Sequence, residues 1–175
     1  MAREAKLTAA TTARYLSLFE TSFITYRLNA YLRNRASRLI KSPKIYVGDS
    51  GLAGHLAGLE STNPVAGESL IGALFERYVA QNLMSIIEAR IPGGHLYFWG
   101  VQGRHEVDFV LEVGNKCLAL EAKSAPRWAD RDLSGLRPFL QATPHCLGAI
   151  LAYNGTDAVT LGDRLWALPV SQVVS

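Results

Sequence analysis

The chain has 175 residues, of which 49% are hydrophobic and 19% are charged, a composition typical of one folded domain or of one domain with a small appendage. The charge is uneven, because residues 1–45 carry nine Lys and Arg against two acids, a balance of +7, while residues 46–175 carry nine against thirteen, a balance of −4. The sequence shows neither the apolar region of a signal peptide nor an apolar run near the roughly 18 residues of a membrane span, which predicts a cytoplasmic protein without membrane contact.

The basic N-terminal segment predicts both helix and strand. We predict a helix over residues 8–20, a strand over 22–32, a basic connection over 33–44, a second strand over 45–49 and a short helix over 51–59. The first helix should be capped by Thr8, with an apolar stripe formed by Ala13, Leu16, Leu18 and Phe19. Helix, strand, basic loop and strand form the second half of a winged helix, whose other one or two helices would precede residue 8. We therefore predict a partial winged-helix segment over residues 1–62 and a second domain over residues 63–175.

The second domain is predicted to begin with a long amphipathic helix. Apolar residues recur there at steps of three and four positions, and Pro92 with the two glycines after it ends the pattern. We predict a helix over residues 68–90, followed by three strands over 96–100, 106–113 and 117–124. A second helix over 131–141, a buried strand over 145–153 and a short last strand within 160–170 complete the domain. The first six give the order αβββαβ, which predicts an α/β fold with a central mixed sheet.

The stretch EVDFVLEVGNKCLALEAKS, residues 106–124, predicts a hairpin with a defined register. Gly114-Asn115 between two alternating runs is a two-residue turn, and the leading glycine suits type II′. Val113 then faces Lys116, and counting outward places Leu111, Phe109 and Val107 together on one apolar face of the hairpin. On the other side, the same register places Asp108 opposite Glu121.

Two carboxylates opposite each other on one sheet face repel, so this pair predicts a bound cation or a raised pKa. Mg²⁺ typically binds one or two carboxylates together with substrate phosphate and water. Lys123 follows Glu121 on the same face, about 6–7 Å along the strand, where it can orient a water or stabilise charge on a phosphate. The pattern is typical of metal-assisted phosphodiester hydrolysis. The alternative is a solvated face on which Glu106 and Lys123 form a surface pair.

The first helix of the second domain supplies a further candidate acid, Glu76. Its neighbours three and four positions away are small, namely Gly72, Ala73 and Ala80. Small neighbours let a helix approach a sheet closely, so we expect Glu76 to point inward or towards the edge of a cleft. The alternative is a glutamate on the helix surface that pairs with Arg77.

The basic connection of the N-terminal segment is a candidate DNA contact. Its cations are Arg33, Arg35, Arg38, Lys41 and Lys44. A loop of this kind can act as a wing that contacts DNA phosphates. The alternatives are a solubilising loop or a surface that docks onto another protein module.

An acid on the first core helix, Asp108 on the second strand and Glu121-Ala122-Lys123 on the third together resemble the PD-(D/E)XK nuclease superfamily. More narrowly, SPKIYVGDSGL, GALFERYVAQNL, EVDFVL and LEAKS resemble the DUF4143 domain over about residues 12–153. That domain typically forms the C-terminal part of bacterial and archaeal AAA+-type ATPases. The resemblance implies a restriction-endonuclease-like αβββαβ core and an AAA+-type ATPase as partner.

The resemblance also implies roles for individual residues. Asp108 and Glu121 would be ligands of Mg²⁺ or Mn²⁺, Glu76 would complete the ligand shell, and Lys123 would be the catalytic lysine. The motif G-x-x-x-x-G-K-[ST] occurs nowhere in the sequence, so the chain does not hydrolyse ATP by that route.

Three hypotheses for function follow from the sequence. The leading one is a Mg²⁺-dependent phosphodiesterase that acts on DNA. The second is a non-catalytic DNA-binding or docking module of an AAA+-type ATPase, because families of this kind also keep the fold while using it only to bind. The third is an inactive remnant held together by contacts between copies, which would make the protein a homo-oligomer.

Overall fold

The structure is a computed structural model that describes residues 5–32, 42–59, 67–101 and 105–175. Its helices are α1 Ala9–Thr21, α2 Ser50–Leu56, α3 Glu68–Arg90, α4 Leu136–Ala142 and α5 Val170–Val173, with a 3-10 helix at Asp130–Leu133. Its strands are β1 Thr25–Ala30, β2 Lys44–Val47, β3 Gly94–Val101, β4 His105–Val113, β5 Lys116–Lys123, β6 Cys146–Tyr153, β7 Val159–Gly162 and β8 Leu165–Pro169. No helix in these ranges has the length and apolarity needed to cross a membrane.

The strands form one eight-stranded mixed sheet in the order β2-β1-β3-β4-β5-β6-β8-β7. Strands β3, β4 and β5 pair antiparallel in succession, β6 joins β5 in parallel, and β8 joins β6 in parallel. The predicted mixed α/β fold is therefore confirmed, and so is the predicted order of helix, three strands, helix and strand.

Each face of the sheet carries its own hydrophobic core. On one face, α4 and the 3-10 helix contribute Leu133, Leu136 and Phe139, all of which are almost completely buried. On the other face, α3 contributes Val79 and Ala80, which have no exposed surface. The central strands are therefore covered on both sides, which explains why the sequence of β6 is almost continuously apolar.

The N-terminal segment joins this sheet through β1. Thr8 caps α1 as predicted, since its Oγ1 accepts a hydrogen bond of 3.1 Å from the N–H of Thr11. Strand β1 pairs antiparallel with β2 and parallel with β3, so strands from both predicted segments lie side by side. The apolar stripe predicted on α1 is not a packing face, because no residue of that helix is buried.

Two elements predicted as continuous are each divided into separate elements in the structure. The helix predicted over residues 131–141 is split into the 3-10 helix and α4. Between them, Gly135 lies so close to β4 that a Cβ there would be 1.7 Å from the carbonyl oxygen of Glu106. The strand predicted within residues 160–170 is the hairpin of β7 and β8 followed by α5. Arg164 has φ 57° between these strands and reverses the chain direction.

Candidate functional site

The predicted register of the β4–β5 hairpin is confirmed near its turn. Paired positions run from Val113 with Lys116 to Phe109 with Leu120. Gly114 has φ 62°, and no left-handed φ occurs at the residue after it, as a type II′ turn requires. The sequence therefore predicts this half of the hairpin correctly.

Farther from the turn than Phe109, the register between β4 and β3 changes, because β4 contains one extra residue relative to β3. Tyr97 pairs with Val110 and Trp99 pairs with Val107, so two steps along β3 match three steps along β4. This irregularity is a β-bulge at the position of Asp108 and Phe109. The prediction that Val107 and Phe109 share one apolar face is therefore wrong, since Val107 packs in the core under α4 and Phe109 in the core under α3.

At the bulge, each of the two acids of the hairpin accepts a hydrogen bond from the main chain of the neighbouring strand. The N–H of Asp108 donates to Oε2 of Glu121 at 3.3 Å, and the N–H of Ala122 donates to Oδ2 of Asp108 at 3.0 Å. The pairs of the regular ladder end at Phe109 and Leu120, so the predicted pairing of Asp108 with Glu121 is not among them, but the two carboxyl groups still interact, since Asp108 raises the pKa of Glu121. Each carboxylate takes the place of a main-chain acceptor on the neighbouring strand.

Helix α3 and strand β2 bring two further groups to these acids. Oε1 of Glu76 accepts a short hydrogen bond from the hydroxyl of Tyr46 and a second one from Nζ of Lys44 at 3.2 Å. Glu76 thus faces the sheet rather than pairing with its helix neighbour. Tyr46 is almost completely buried, and its ring packs against that of Phe109 with centroids 6.4 Å apart.

Lys44 is the cation at the centre of this group, which we call the acid cluster: Glu76, Glu106, Asp108 and Glu121. Its Nζ lies 2.6 Å from Oε1 of Glu106, 3.2 Å from Oε1 of Glu76 and 3.6 Å from Oδ1 of Asp108. Burial disfavours the charged ammonium, but the carboxylates of Asp108, Glu76 and Glu106 outweigh it, so the pKa of Lys44 lies above its ordinary value.

The two acids of the hairpin hold their protons unusually tightly. Burial, reinforced by the carboxylate of Glu76 and opposed by Lys44, raises the pKa of Asp108 to about 7. Burial and the neighbouring Asp108 raise the pKa of Glu121 to about 9, and Lys44 again acts in the opposite direction. Desolvation and crowding of like charges therefore dominate this site, and Lys44 compensates for only part of them.

Lys123, the predicted catalytic lysine, lies against a different acid. Its Nζ is 2.9 Å from Oδ1 of Asp132, which precedes α4 in the 3-10 helix. Asp132 also accepts a hydrogen bond of 2.8 Å from the N–H of Ala129. The alternative interpretation, a surface pair of Lys123 with Glu106, is wrong, because Glu106 pairs with Lys44 and Lys123 with Asp132.

Of the five predicted DNA contacts, only Lys44 lies within the described residues. Arg33, Arg35, Arg38 and Lys41 lie outside the described residues. Lys44, the last of the predicted series, is described and contacts three carboxylates of the acid cluster. Its strand gave a signal for this position, because Lys44 and Tyr46 are two residues apart and share one face of β2.

The sequence predicts Mg²⁺ or Mn²⁺ as cofactor, and the arrangement of the acids tests that prediction. A divalent ion requires several oxygens free to converge at about 2.0–2.2 Å. In this structure, the carboxylates of Glu76, Glu106 and Asp108 converge on an ammonium group, while Asp108 and Glu121 also accept main-chain N–H groups. Within the described ranges, no group of three or more His, Cys, Asp or Glu is arranged to hold a metal ion. As arranged, these residues do not fit a divalent ion.

Two protein-family models match the chain. The one described as "Domain of unknown function (DUF4143)" matches residues 71–173, and the one described as "Domain of unknown function (DUF8612)" matches residues 1–63. The first match covers more than half of the chain and contains the acids of the hairpin and Glu76. The second contains Lys44, so the acid cluster and its cation come from regions matched by different families.

Curated relatives of the chain are considerably longer than the chain itself. Uncharacterized protein Mb2031c of Mycobacterium bovis and Uncharacterized protein Rv2008c of Mycobacterium tuberculosis are each 27% identical to it over 177 residues. The match covers 100% of this chain and 38% of each relative, so the chain spans well under half of their length. The comparison with solved structures finds a half-complex from a tetradecameric assembly of Thermococcus gammatolerans McrB AAA+ hexamers with bound McrC. The similarity covers 56% of this chain and 27% of that chain, with a TM-score of 0.39 and 16% sequence identity.

Proposed function

The chain belongs to the DUF4143 family, and we propose that it is a non-catalytic, DNA-binding docking module of an AAA+-type ATPase. The observation that carries the non-catalytic part is the pairing of both lysines near the acids. Lys44 contacts three carboxylates of the acid cluster, and Lys123 contacts Asp132. The pairing of both ammonium groups with carboxylates, together with a donor set that as arranged does not fit a divalent ion, supports a non-catalytic role.

The docking part of the proposal is supported by the family resemblance and by exposed apolar surface. The DUF4143 domain typically forms the C-terminal part of AAA+-type ATPases, and the curated relatives have more than half of their length outside the match to this chain. The region of α1 exposes large hydrophobic side chains, with Phe23 90% exposed, Leu18 56% and Tyr15 50%. Surface of this kind is typical of a protein interface.

The docking part is tested by binding to the remainder of the Mycobacterium tuberculosis relative, expressed without its matched region. We expect this chain to bind that remainder in calorimetry, and Phe23→Ser with Leu18→Ser to weaken the binding. The relative's own matched region is the positive control. Binding by that control and none by this chain would contradict docking to a partner of this type.

The DNA-binding part is supported by the charge balance of +7 in residues 1–45. Neutralising Arg33, Arg35 and Arg38 together would remove up to three phosphate contacts, and the slope of log Kobs against log salt concentration should then decrease by about 2.7. Fluorescence anisotropy with a labelled duplex, measured over a series of salt concentrations, gives that slope.

The matched control for this experiment removes the same charge elsewhere. Arg90, Lys116 and Arg127 are exposed, and replacing all three by Ala changes the net charge equally. We expect the control to keep most of the affinity for DNA. Equal losses in both triple variants would mean that only net charge matters, and no loss in the first variant would exclude residues 33–38 as a DNA contact.

A Mg²⁺-dependent deoxyribonuclease is the second candidate function. The pKa values of Asp108 and Glu121, raised to about 7 and about 9, favour it because strongly shifted carboxyl groups cluster at catalytic sites. This function requires Lys44 to leave the acid cluster. It predicts plasmid cleavage in the presence of Mg²⁺ that is abolished by Asp108→Ala and by Lys123→Ala. Equal cleavage by the wild type and both variants would exclude this site as its source.

A further inference from the structure

We propose that Lys44 is the resident cation of the acid cluster and that its ammonium group keeps divalent metal ions out of it. The inference rests on the position of Lys44 and on neither of the proposed functions. It assigns the cluster a cation that the protein itself supplies, at the place where the resemblance to nucleases would put a metal ion.

The geometry places the ammonium where a metal ion would have to bind. Nζ of Lys44 lies within 4 Å of carboxylate oxygens from α3 and from two positions of β4, at 2.6, 3.2 and 3.6 Å. These three oxygens belong to Glu106, Glu76 and Asp108. A divalent ion that used them would have its centre a few ångströms from a positive charge, so the two cations are mutually exclusive.

The backbone and the neighbouring side chains fix the position of Lys44. It pairs with Leu28 in the antiparallel ladder of β1 and β2, and its Nζ lies 5.5 Å from the centroid of the Phe98 ring. Tyr46, on the same face of β2, donates to the same oxygen of Glu76 that Lys44 contacts. The ammonium is therefore held by the sheet and by several partners, unlike a surface lysine that moves freely.

One oxygen of each hairpin acid also accepts a main-chain hydrogen bond. Oδ2 of Asp108 accepts the N–H of Ala122, and Oε2 of Glu121 accepts the N–H of Asp108. A metal ion would have to displace the ammonium and compete with main-chain donors as well. Burial raises the pKa values of Asp108 and Glu121, the neighbouring carboxylates raise them further, and Lys44 offsets only part of this effect.

The test is Mn²⁺ binding by the whole chain, measured by calorimetry and by loss of the electron paramagnetic resonance signal of free Mn²⁺. We expect Lys44→Met to bind one Mn²⁺ at least about tenfold more tightly than the wild type, a gain of about 1.4 kcal/mol. Lys44→Arg keeps the positive charge and should gain nothing. Lys116→Met, an exposed lysine beside the turn of the hairpin, is the control for removing one positive charge elsewhere.

A double variant tests whether the ion enters the acid cluster. Lys44→Met with Asp108→Asn should lose the gain, because the amide is a poor ligand for Mn²⁺. If Lys44→Met does not fold, as judged by circular dichroism, Lys44→Gln replaces it. A folded Lys44 variant without any gain in Mn²⁺ binding would overturn the proposal.

A second outcome would overturn the proposal without any Lys44 variant. Saturable binding of one Mn²⁺ to the wild type that disappears in Asp108→Asn would mean that the cluster already accepts a metal ion. Cleavage of DNA is not read in either arm, so a gain of Mn²⁺ binding without cleavage supports this inference and leaves the docking proposal standing.

Discussion

The two ends of the β4–β5 hairpin differ in how closely they follow the regular pattern of a sheet. At the turn end, pairing is continuous from Val113 with Lys116 to Phe109 with Leu120. At the acid end, β4 contains a bulge, and the carboxyl groups of Asp108 and Glu121 accept hydrogen bonds from main-chain N–H groups. The same two strands therefore form a plain scaffold at one end and a strongly perturbed electrostatic site at the other.

This difference teaches that the bulge, and not the turn, determines what the acids contact. The turn fixes the register, but an extra residue in β4 redirects Asp108 towards Glu76 and Lys44. Bulges commonly redirect a side chain in this way next to functional sites. The predictions below perturb one end of the hairpin while leaving the other unchanged.

The largest effect is expected for Gly135→Ala, which acts on the acid end. A Cβ at this position would be 1.7 Å from the carbonyl oxygen of Glu106, and a main-chain atom of a central strand cannot yield. We expect a loss of at least about 3 kcal/mol in the free energy of unfolding, measured in urea. Gly72→Ala is the matched control, because a Cβ on that residue of α3 meets no atom within 4 Å. A variant as stable as wild type would contradict the close approach to β4.

The next largest effect is expected for Asp108→Asn at high pH. The pKa of Asp108 is about 7 in the folded state, above the ordinary carboxyl value, so protonation stabilises the fold. This stabilisation is complete below about pH 4 and is lost as the pH rises through 7. We expect the variant to be more stable than wild type at pH 9 by about 2 kcal/mol.

Urea unfolding at pH 5, 7 and 9 measures this dependence. The slope of stability against pH should be smaller in Asp108→Asn than in the wild type. Glu88→Gln, at an exposed position of α3, serves as the control and should keep the wild-type slope. An unchanged slope in Asp108→Asn would mean that this carboxyl group does not bind its proton more tightly in the folded state.

A smaller effect is expected at the turn end for Gly114→Ala. The φ of 62° is unfavourable for any residue with a Cβ, but no atom lies within 4 Å of the added methyl group. The cost should be about 1 kcal/mol in the free energy of unfolding. The titration of Asp108, followed by carboxyl ¹³C chemical shifts, should not change. A changed titration would show that the two ends are coupled.

The smallest effect is expected for Lys123→Met on the acid cluster. Lys123 contacts Asp132, whereas Lys44 is the cation that lowers the pKa values of Asp108 and Glu121. The carboxyl titrations should therefore stay unchanged in Lys123→Met and move to higher pH in Lys44→Met. The same ¹³C measurement compares the two variants, and a comparable shift in both would place Lys123 within the cluster.

Much of the fold is predictable from the sequence because periodicity and turn residues are local signals. The helix over residues 68–90 is predicted at both ends, and the hairpin register follows from Gly114-Asn115 alone. The close approach of Gly135 to β4, just before α4, involves residues far apart in the sequence and has no local signal. The parallel pairing of β1 with β3 is likewise a long-range contact without a local pattern.

The candidate site is less predictable than the fold. Proximity of Asp108 to Glu121 follows from the register, and the inward direction of Glu76 follows from its small neighbours. The role of Lys44 does not follow, because it requires knowing that the Lys44 side chain on β2 reaches α3 and, across the sheet, β4. A lysine in a basic stretch is ordinarily interpreted as a surface charge, and only the tertiary structure brings Lys44 to three carboxylates.

The position of β2 in the sheet has a mechanical consequence. Among the described strands, β2 lies at one end of the sheet order and pairs only with β1. Detaching it breaks a single ladder, while the strands that carry the acids would stay paired on both sides. The positive charge that partly balances the acids is thus carried by an edge strand, three residues after Lys41. A ligand that binds Lys41 and its basic neighbours would therefore act on β2, the strand that carries Lys44.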